Sequence, residues 1–374
     1  MKILIAGDLT LQERALNCKW DEVKLNMSFH GVKGIARDCD YALVNLESPV
    51  TTASHRILKD GPTLRNPLFV HEIISYCGFN TVTLANNHLK DYGVEGVLDT
   101  LEYCKKSNLQ TVGAGTDLMT ARKPLLWISD TGVRVGVINV CERESSIATT
   151  TEPGSNPLDF VNLYYDISSL KKKTDKIIVV IHGGREHYQY PTPRMKRDYH
   201  LIADYGADVI VNHHQHCFSG YEIYKGKPIF YGLGNFYFDR KDKRNDIWNY
   251  GLLLKLYIQK DDIKYELIPY EQCNQESVIR VMEFKDVDRE IERMSMIIQE
   301  DNLLEEEFEK LIKKVKPLYP FIPFGGKLLR SLYFRGLLPK FVSRKNLALM
   351  ENAVRCETHR EVLLSYMNNK IHNE

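Results

Sequence analysis

No stretch of this 374-residue chain is apolar for long enough to cross a bilayer. The longest purely aliphatic run, Ile177 to Ile181, is far short of the roughly 20 residues a membrane helix needs. No charge of one sign dominates either. Fifty Lys and Arg stand against 49 Asp and Glu, a net charge of +1, so global charge offers nothing to a nucleic acid. The eight cysteines (Cys18, Cys39, Cys77, Cys104, Cys141, Cys217, Cys273 and Cys356) contain no C-x-x-C pair. They are too sparse for a secreted disulfide framework and read as buried thiols of a cytoplasmic protein. The opening MKILIAGD has one Lys and a brief apolar run ended by an acid, which is a first core strand rather than a signal peptide. The expectation is a cytoplasmic protein without a transmembrane segment and without a nucleic-acid partner. At 43% hydrophobic and 26% charged, the chain has the composition of an ordinary globular protein.

What is present is a recurring pattern of apolar runs that end on polar clusters. IIVVIHGGREH, DVIVNHHQH and KPIFYGLGNFYFD follow one another between Ile177 and Asp239. Upstream, KILIAGD ends on Asp8, YALVNLE on Glu47 and TVTLANNH on Asn87 and His88. Between these runs lie helical spacings. One covers Pro67 to Cys77 and stops at Gly78, one covers Gly93 to Lys106, and one covers Arg194 to Tyr205 and stops at Gly206. Strand and helix alternate, so functional groups should gather at the carboxyl ends of strands, where open α/β sheets bind ligands. Gly251 to Ile258 and Ile263 to Pro269 read as an antiparallel hairpin within a mixed sheet. From Val287 to Lys316 the chain reads as one or two amphipathic helices. A proline-broken, basic and aromatic stretch follows, LYPFIPFGGKLLRSLYFRGLLPKFVSRK. It is either a peripheral membrane contact or a helical appendage on the main domain. The division expected is a motif-bearing domain at 1–272 and a helical extension at 273–374, packed over or beside the site.

The chemistry resides in the histidines. His182, His213, His214 and His216 fall at two strand ends, and neutral imidazole is the commonest transition-metal ligand. Asp8 is either a ligand or an ordinary turn residue before a helix. Glu47, placed directly after a buried run, is costly unless paired or ligating, and suits a position between two metals. Asn86 and Asn87 are a turn or, for Asn87, a neutral oxygen ligand. Asp91 either orients His88 or caps the helix from Gly93. Cys217 is a small core residue or a further ligand. Arg185, Arg194, Lys196 and Arg197 form a solvated helix start or an anion site. Gly232 and Gly234 allow close backbone approach beside Asn235. Mixed nitrogen and oxygen donors suit Zn, Mn or Fe.

Seven motifs occur in order: Gly7-Asp8, NLESPVT at 45–51, LANNHLKDYGVEG at 84–96, VGAG at 112–115, HGG at 182–184, HHQH at 213–216 and YGLGNFYFD at 231–239. In these the chain resembles the CapA family of capsule and poly-γ-glutamate synthesis proteins, a branch of the calcineurin-like metallophosphoesterase superfamily. The resemblance implies a layered α/β/β/α sandwich with mixed sheets, here carrying a helical C-terminal appendage. It also implies two divalent metal ions held by Asp8, Glu47, Asn87, His182, His214 and His216. His88, supported by Asp91, would assist the leaving group, and Arg185 and Asn235 would contact substrate. Three departures stand out. The superfamily's D-x-H reads Asp8-Leu9-Thr10, which removes one ligand; the bridging carboxylate is Glu47; and Gln215 replaces the usual Pro. The implied activity is two-metal hydrolysis of a phosphoester in capsule or surface-polymer synthesis, with an anionic polymer or phosphoester as substrate. The alternatives are a γ-glutamyl amide hydrolase or transferase, and a non-catalytic accessory protein with a degenerate metal site.

Overall fold

The computed structural model describes residues 1–59, 61–314 and 343–372. In chain order the strands are β1 (Lys2–Thr10), β2 (Tyr41–Leu46), β3 (Thr81–Thr83), β4 (Gln110–Val112), β5 (Ala114–Gly115), β6 (Leu125–Ile128), β7 (Arg134–Cys141), β8 (Gly154–Ser155), β9 (Lys176–His182), β10 (Val209–His213), β11 (Tyr221–Tyr224), β12 (Lys227–Phe230), β13 (Asn235–Phe238), β14 (Tyr250–Ile258), β15 (Ile263–Gln272) and β16 (Ile279–Val281). The helices are α1 (Glu22–Arg37), α2 (Val70–Cys77), α3 (Gly93–Lys106), α4 (Leu118–Ala121), α5 (Phe160–Leu170), α6 (Pro193–Tyr205), α7 (Asp288–Gln299), α8 (Asp301–Lys314), α9 (Arg344–Arg355) and α10 (Glu357–His372).

Alternation along β1 explains the layering. Successive side chains of a strand point to opposite faces. Ile3 and Ile5 share a core with Val137 and Ile178 of a second sheet, whereas Leu4 and Ala6 share one with Phe29, Ile73 and Ile74 of the helices. The first sheet runs β16-β15-β14-β1-β2-β3-β4, with β13 parallel to the end of β1. The second runs β11-β12-β10-β9-β7-β6. Strands β1 to β4 are parallel, and so are β7, β9, β10 and β12, while β14, β15 and β16 run antiparallel. Helices α1 to α3 cover the outer face of the first sheet, and α5, α6 and α7 bury Ile167, Met195, Ile202, Met294 and Ile298 on the second. The result is the α/β/β/α sandwich with mixed sheets and a helical C-terminal part. Local signals place the helix ends well. Gly78 closes α2 at φ 93°, and Thr192 caps α6 by accepting from the Met195 amide, with Pro193 in the first turn.

The first sheet runs on past residue 272, because Ile279–Val281 pairs with β15. Two amphipathic helices follow, and Ile291, Ile298 and Leu304 enter the main core. Phe308 and Ile312 of α8 form a small separate cluster with Val362 of α10. The basic aromatic segment, read as either a peripheral membrane contact or a helical appendage, lies almost wholly within 315–342, outside the described residues. Among the described residues, no helix is long and apolar enough to cross a membrane.

Gly7 shows how closely the strand ends are drawn together. A Cβ there would lie 1.8 Å from the Gly234 carbonyl oxygen, which already accepts from the Asp8 amide at 3.2 Å. Backbone sits against backbone, and neither side can yield cheaply. Gly7→Ala is expected to destabilise the fold by about 3 kcal/mol, the scale of overpacking a tight interior, as measured by denaturant unfolding.

Candidate metal centre

Six side chains from five strand ends meet where the two sheets abut. Asp8 stands near the end of β1, Glu47 directly after β2, Asn87 in the loop after β3, His182 at the end of β9, and His214 and His216 just beyond β10. All are almost wholly buried; Asp8 and Glu47 expose nothing and Asn87 exposes most, at 6%. The loop after β10 makes its turn with His214 at φ 89° and His216 at φ 57°. Left-handed backbone at non-glycine residues costs of order 1–3 kcal/mol each and persists where the surroundings enforce it. Here it turns both imidazoles toward Glu47.

The donors form two groups that share Glu47: Glu47 with His182 and His214, and Asp8 with Glu47 and His216. In the first, His182 Nε2 lies 3.0 Å from His214 Nδ1, 3.1 Å from Asn87 Oδ1 and 3.9 Å from Glu47 Oε1. In the second, His216 Nε2 lies 3.4 Å from Glu47 Oε1. Donors about 2.1 Å from a tetrahedral ion are about 3.4 Å apart, so these separations have the scale of the edges of a coordination polyhedron. Both carboxylate oxygens of Glu47 are buried without a hydrogen-bond partner. A buried carboxylate left in that state is unfavourable unless a cation faces it. The residues therefore fit a metal ion.

The electrostatics agree. Burial pushes the Glu47 carboxyl well above its ordinary range, with His216 opposing and the Asp8 charge adding to the rise. Asp8 moves the other way: burial would raise it, but the His216 hydrogen bond and the His182 charge hold it low. His216 is desolvated, yet Glu47 and Asp8 push its pKa up to about 10. Burial keeps His182 and His214 neutral, and their mutual repulsion helps in the case of His182. Neutral imidazole is the ligating form.

A layer of amides holds the donors in place. Asn45 Nδ2 donates to Asp8 Oδ1 at 2.7 Å and lies 3.2 Å from His182 Nδ1. Asn86 makes the turn expected of it, accepting from the His88 amide and donating to the Leu46 carbonyl, so Asn87 is aimed and tied to the Glu47 strand at once. His88 Nδ1 lies 2.7 Å from Asp91 Oδ2, and Lys59 Nζ donates to Asp91 Oδ1 at 2.7 Å. Burial works against the Asp91 charge, but His88 and Lys59 hold its carboxyl low. Asp91 does orient His88, and it does not cap α3, whose N-cap Tyr92 has no side-chain bond.

Several expectations change. Asn235 is fully buried and is not placed to meet substrate: its Oδ1 lies 2.9 Å from His216 Nδ1, and its Nδ2 donates to the His216 and Trp248 carbonyls. It supports a ligand. Arg194 is also unavailable to an anion, because Glu142, Asp198 and Glu361 take up its charge at 2.6, 2.6 and 3.2 Å. Lys196 is bound to Asp301 at 2.6 Å. Arg185 is half-buried in the loop after β9. Cys217 donates to the Gln215 carbonyl and takes no part in either donor group. Thr10 bonds Ser48 at 2.7 Å and leaves the second group with three donors. Glu142 follows a buried strand just as Glu47 does, so the same signal could have found it. Nothing local marks Lys59, which a long loop delivers.

The family model described as Bacterial capsule synthesis protein PGA_cap matches residues 2–240. The chain is 35% identical over 215 residues to the PGA biosynthesis protein CapA of Bacillus subtilis, covering 57% of each chain. It is 33% identical over 221 residues to the capsule biosynthesis protein CapA of Bacillus anthracis, covering 57% of this chain and 54% of that one. It thus spans about half the length of these relatives.

Replacing His214 and His216 together by Ala is expected to abolish most bound metal, as read by elemental analysis of the purified protein. Unchanged content would remove these residues from the ligand set. Acidification should also weaken binding. Below about pH 10 the metal-free His216 carries a proton that a metal must expel. Each proton expelled makes affinity rise about tenfold per pH unit, and His216 contributes one from pH 6 to 8. Calorimetric titration in buffers of different ionisation enthalpy counts the protons released.

Proposed function

The chain belongs to the PGA_cap family of bacterial capsule synthesis proteins, and we propose that it is a metal-dependent hydrolase serving capsule or surface-polymer synthesis. The observation that carries this reading is Glu47: a fully buried carboxylate, unpartnered at both oxygens and common to two donor groups. Asp8, Glu47 and His216 would hold one divalent ion, and Glu47, Asn87, His182 and His214 a second. The mixed donor set suits Mn, Zn or Fe. Such ions supply Lewis-acid polarisation of the scissile bond and a lower pKa for water.

The chain's own residues supply the rest. Asn45 and Asn235 fix the His182 and His216 rings. Asp91 accepts from His88 Nδ1–H, and in the doubly protonated imidazolium Nε2 would then hand its proton to the leaving group. Lys59 adds a positive charge beside that pair at 3.2 Å from His88 Nδ1. Arg185 stands three residues beyond His182 as the remaining expected contact for an anionic substrate. A phosphoester is the substrate class this arrangement suits best. A γ-glutamyl amide is the rival bond, because the similar Bacillus subtilis protein is a PGA biosynthesis protein. Thr10 favours a second reading, a non-catalytic accessory protein, because its hydroxyl is bound to Ser48 rather than offered to the three-donor group.

The test loads the purified chain with Mn, Zn or Fe and offers a generic phosphodiester and a γ-glutamyl amide. Turnover of neither by metal-loaded protein would favour the accessory reading. His88→Ala is expected to keep its metal but lose roughly a hundredfold in turnover, the scale of a missing general acid. Equal rates for mutant and wild type would exclude His88 from proton transfer.

A further inference from the structure

We infer that helix α9 is the specificity-determining wall of the metal centre, narrowing one approach to it. Two residues that touch site histidines form the opposite lip. Lys59 Nζ lies 3.2 Å from His88 Nδ1, and Glu144 Oε1 lies 3.9 Å from His214 Nε2. Ser145 Oγ, beside them, donates to the Asn87 carbonyl at 3.5 Å. These three line a cavity whose other wall is Glu351, Asn352 and Arg355 of α9. Its volume is about 40 Å³, room for about three waters and too little for an extended polymer chain.

The wall is fixed rather than hanging free. Directly after Arg355 comes Cys356, buried, with its Sγ 3.6 Å from Glu142 Oε2. Glu357 accepts from the Arg143 amide at 2.9 Å and its guanidinium at 3.2 Å. Thr358 donates to Glu142 Oε1 at 2.7 Å, and Glu361 accepts from the Arg194 amide at 3.0 Å. Four anchors within residues 356–361, at the start of α10, thus set where α9 stands. Glu142 in turn accepts from the Gly184 amide, two residues from the ligand His182. Its consequence for substrate, which rests on the hydrolase reading, is that small free groups pass this side while groups carried on a polymer are turned away.

Access can be measured without turnover. Full-length protein loaded with Zn²⁺ is stripped either by free dipicolinate or by the same chelating group coupled to dextran. Asn352→Ala should speed removal by the coupled chelator several-fold and change removal by the free one little. Asn352→Trp, which fills the cavity, should slow both. Arg355→Ala, which widens the same wall, serves if the Trp variant does not fold. Identical stripping rates across the wild type and the folded variants would overturn the assignment. Failure of the hydrolase reading would appear separately, as loaded wild type that turns over neither ester nor amide.

Discussion

A carboxylate with no exposed surface and no hydrogen bond is the constraint around which this molecule is organised. Glu47 occupies that position because β2 runs buried to its end and the next residue has nowhere else to go. An ionised carboxylate removed from water is unfavourable by several kcal/mol unless it meets a cation. The surroundings give it no hydrogen bond and set His216 Nε2 3.4 Å from its Oε1. They bring Asp8, Asn87, His182, His214 and His216 to the same place. Leaving such a group unsatisfied makes sense only if the fold gains a ligand site by it.

Rigidity around Glu47 comes from amides rather than from charges. Asn45 spans Asp8 and His182, and Asn235 spans His216 and the backbone of Trp248. Asn139, from β7 of the second sheet, accepts from the Leu84 and Ala85 amides at the end of β3 and donates to Val180 of β9. One amide therefore ties together the two sheets whose junction holds the site. Neutral amides can both donate and accept, so they fix ligands without adding charge that would compete with a metal.

The buried ion network about Arg194 has a different role. Glu142, Asp198 and Glu361 surround one guanidinium, and Thr358 shares both Arg194 and Glu142. Removing one partner from a buried pair costs about 3–5 kcal/mol, because the other charge is left uncompensated. Such a network tolerates few alternative arrangements, and this holds the C-terminal helices in one position against the strand end that carries His182.

Read alone, the sequence determined the local elements and singled out most of the side chains that the fold gathers into the two donor groups. Alternating strands, helix-stopping Gly78 and Gly206, and polar clusters at strand ends are patterns within ten or so residues, and each is governed by local backbone chemistry. Histidines and acids after apolar runs stood out for the same reason. Tertiary structure alone decided the rest. Asn235 and Arg194 look free in the sequence, but Asn235 meets groups 13 and 19 residues away, and Arg194, besides the neighbouring Asp198, meets Glu142 and Glu361 at 52 and 167. Asp91 was open between a cap and a partner for His88 until Lys59 and the Leu64 amide arrived from a distant loop. The closeness of α9 to the metal centre had no sequence signature either, since it depends on Glu142 meeting Thr358 across 216 residues. Short-range periodicity is written in the residues themselves; which charge neutralises which is settled only when the chain has closed.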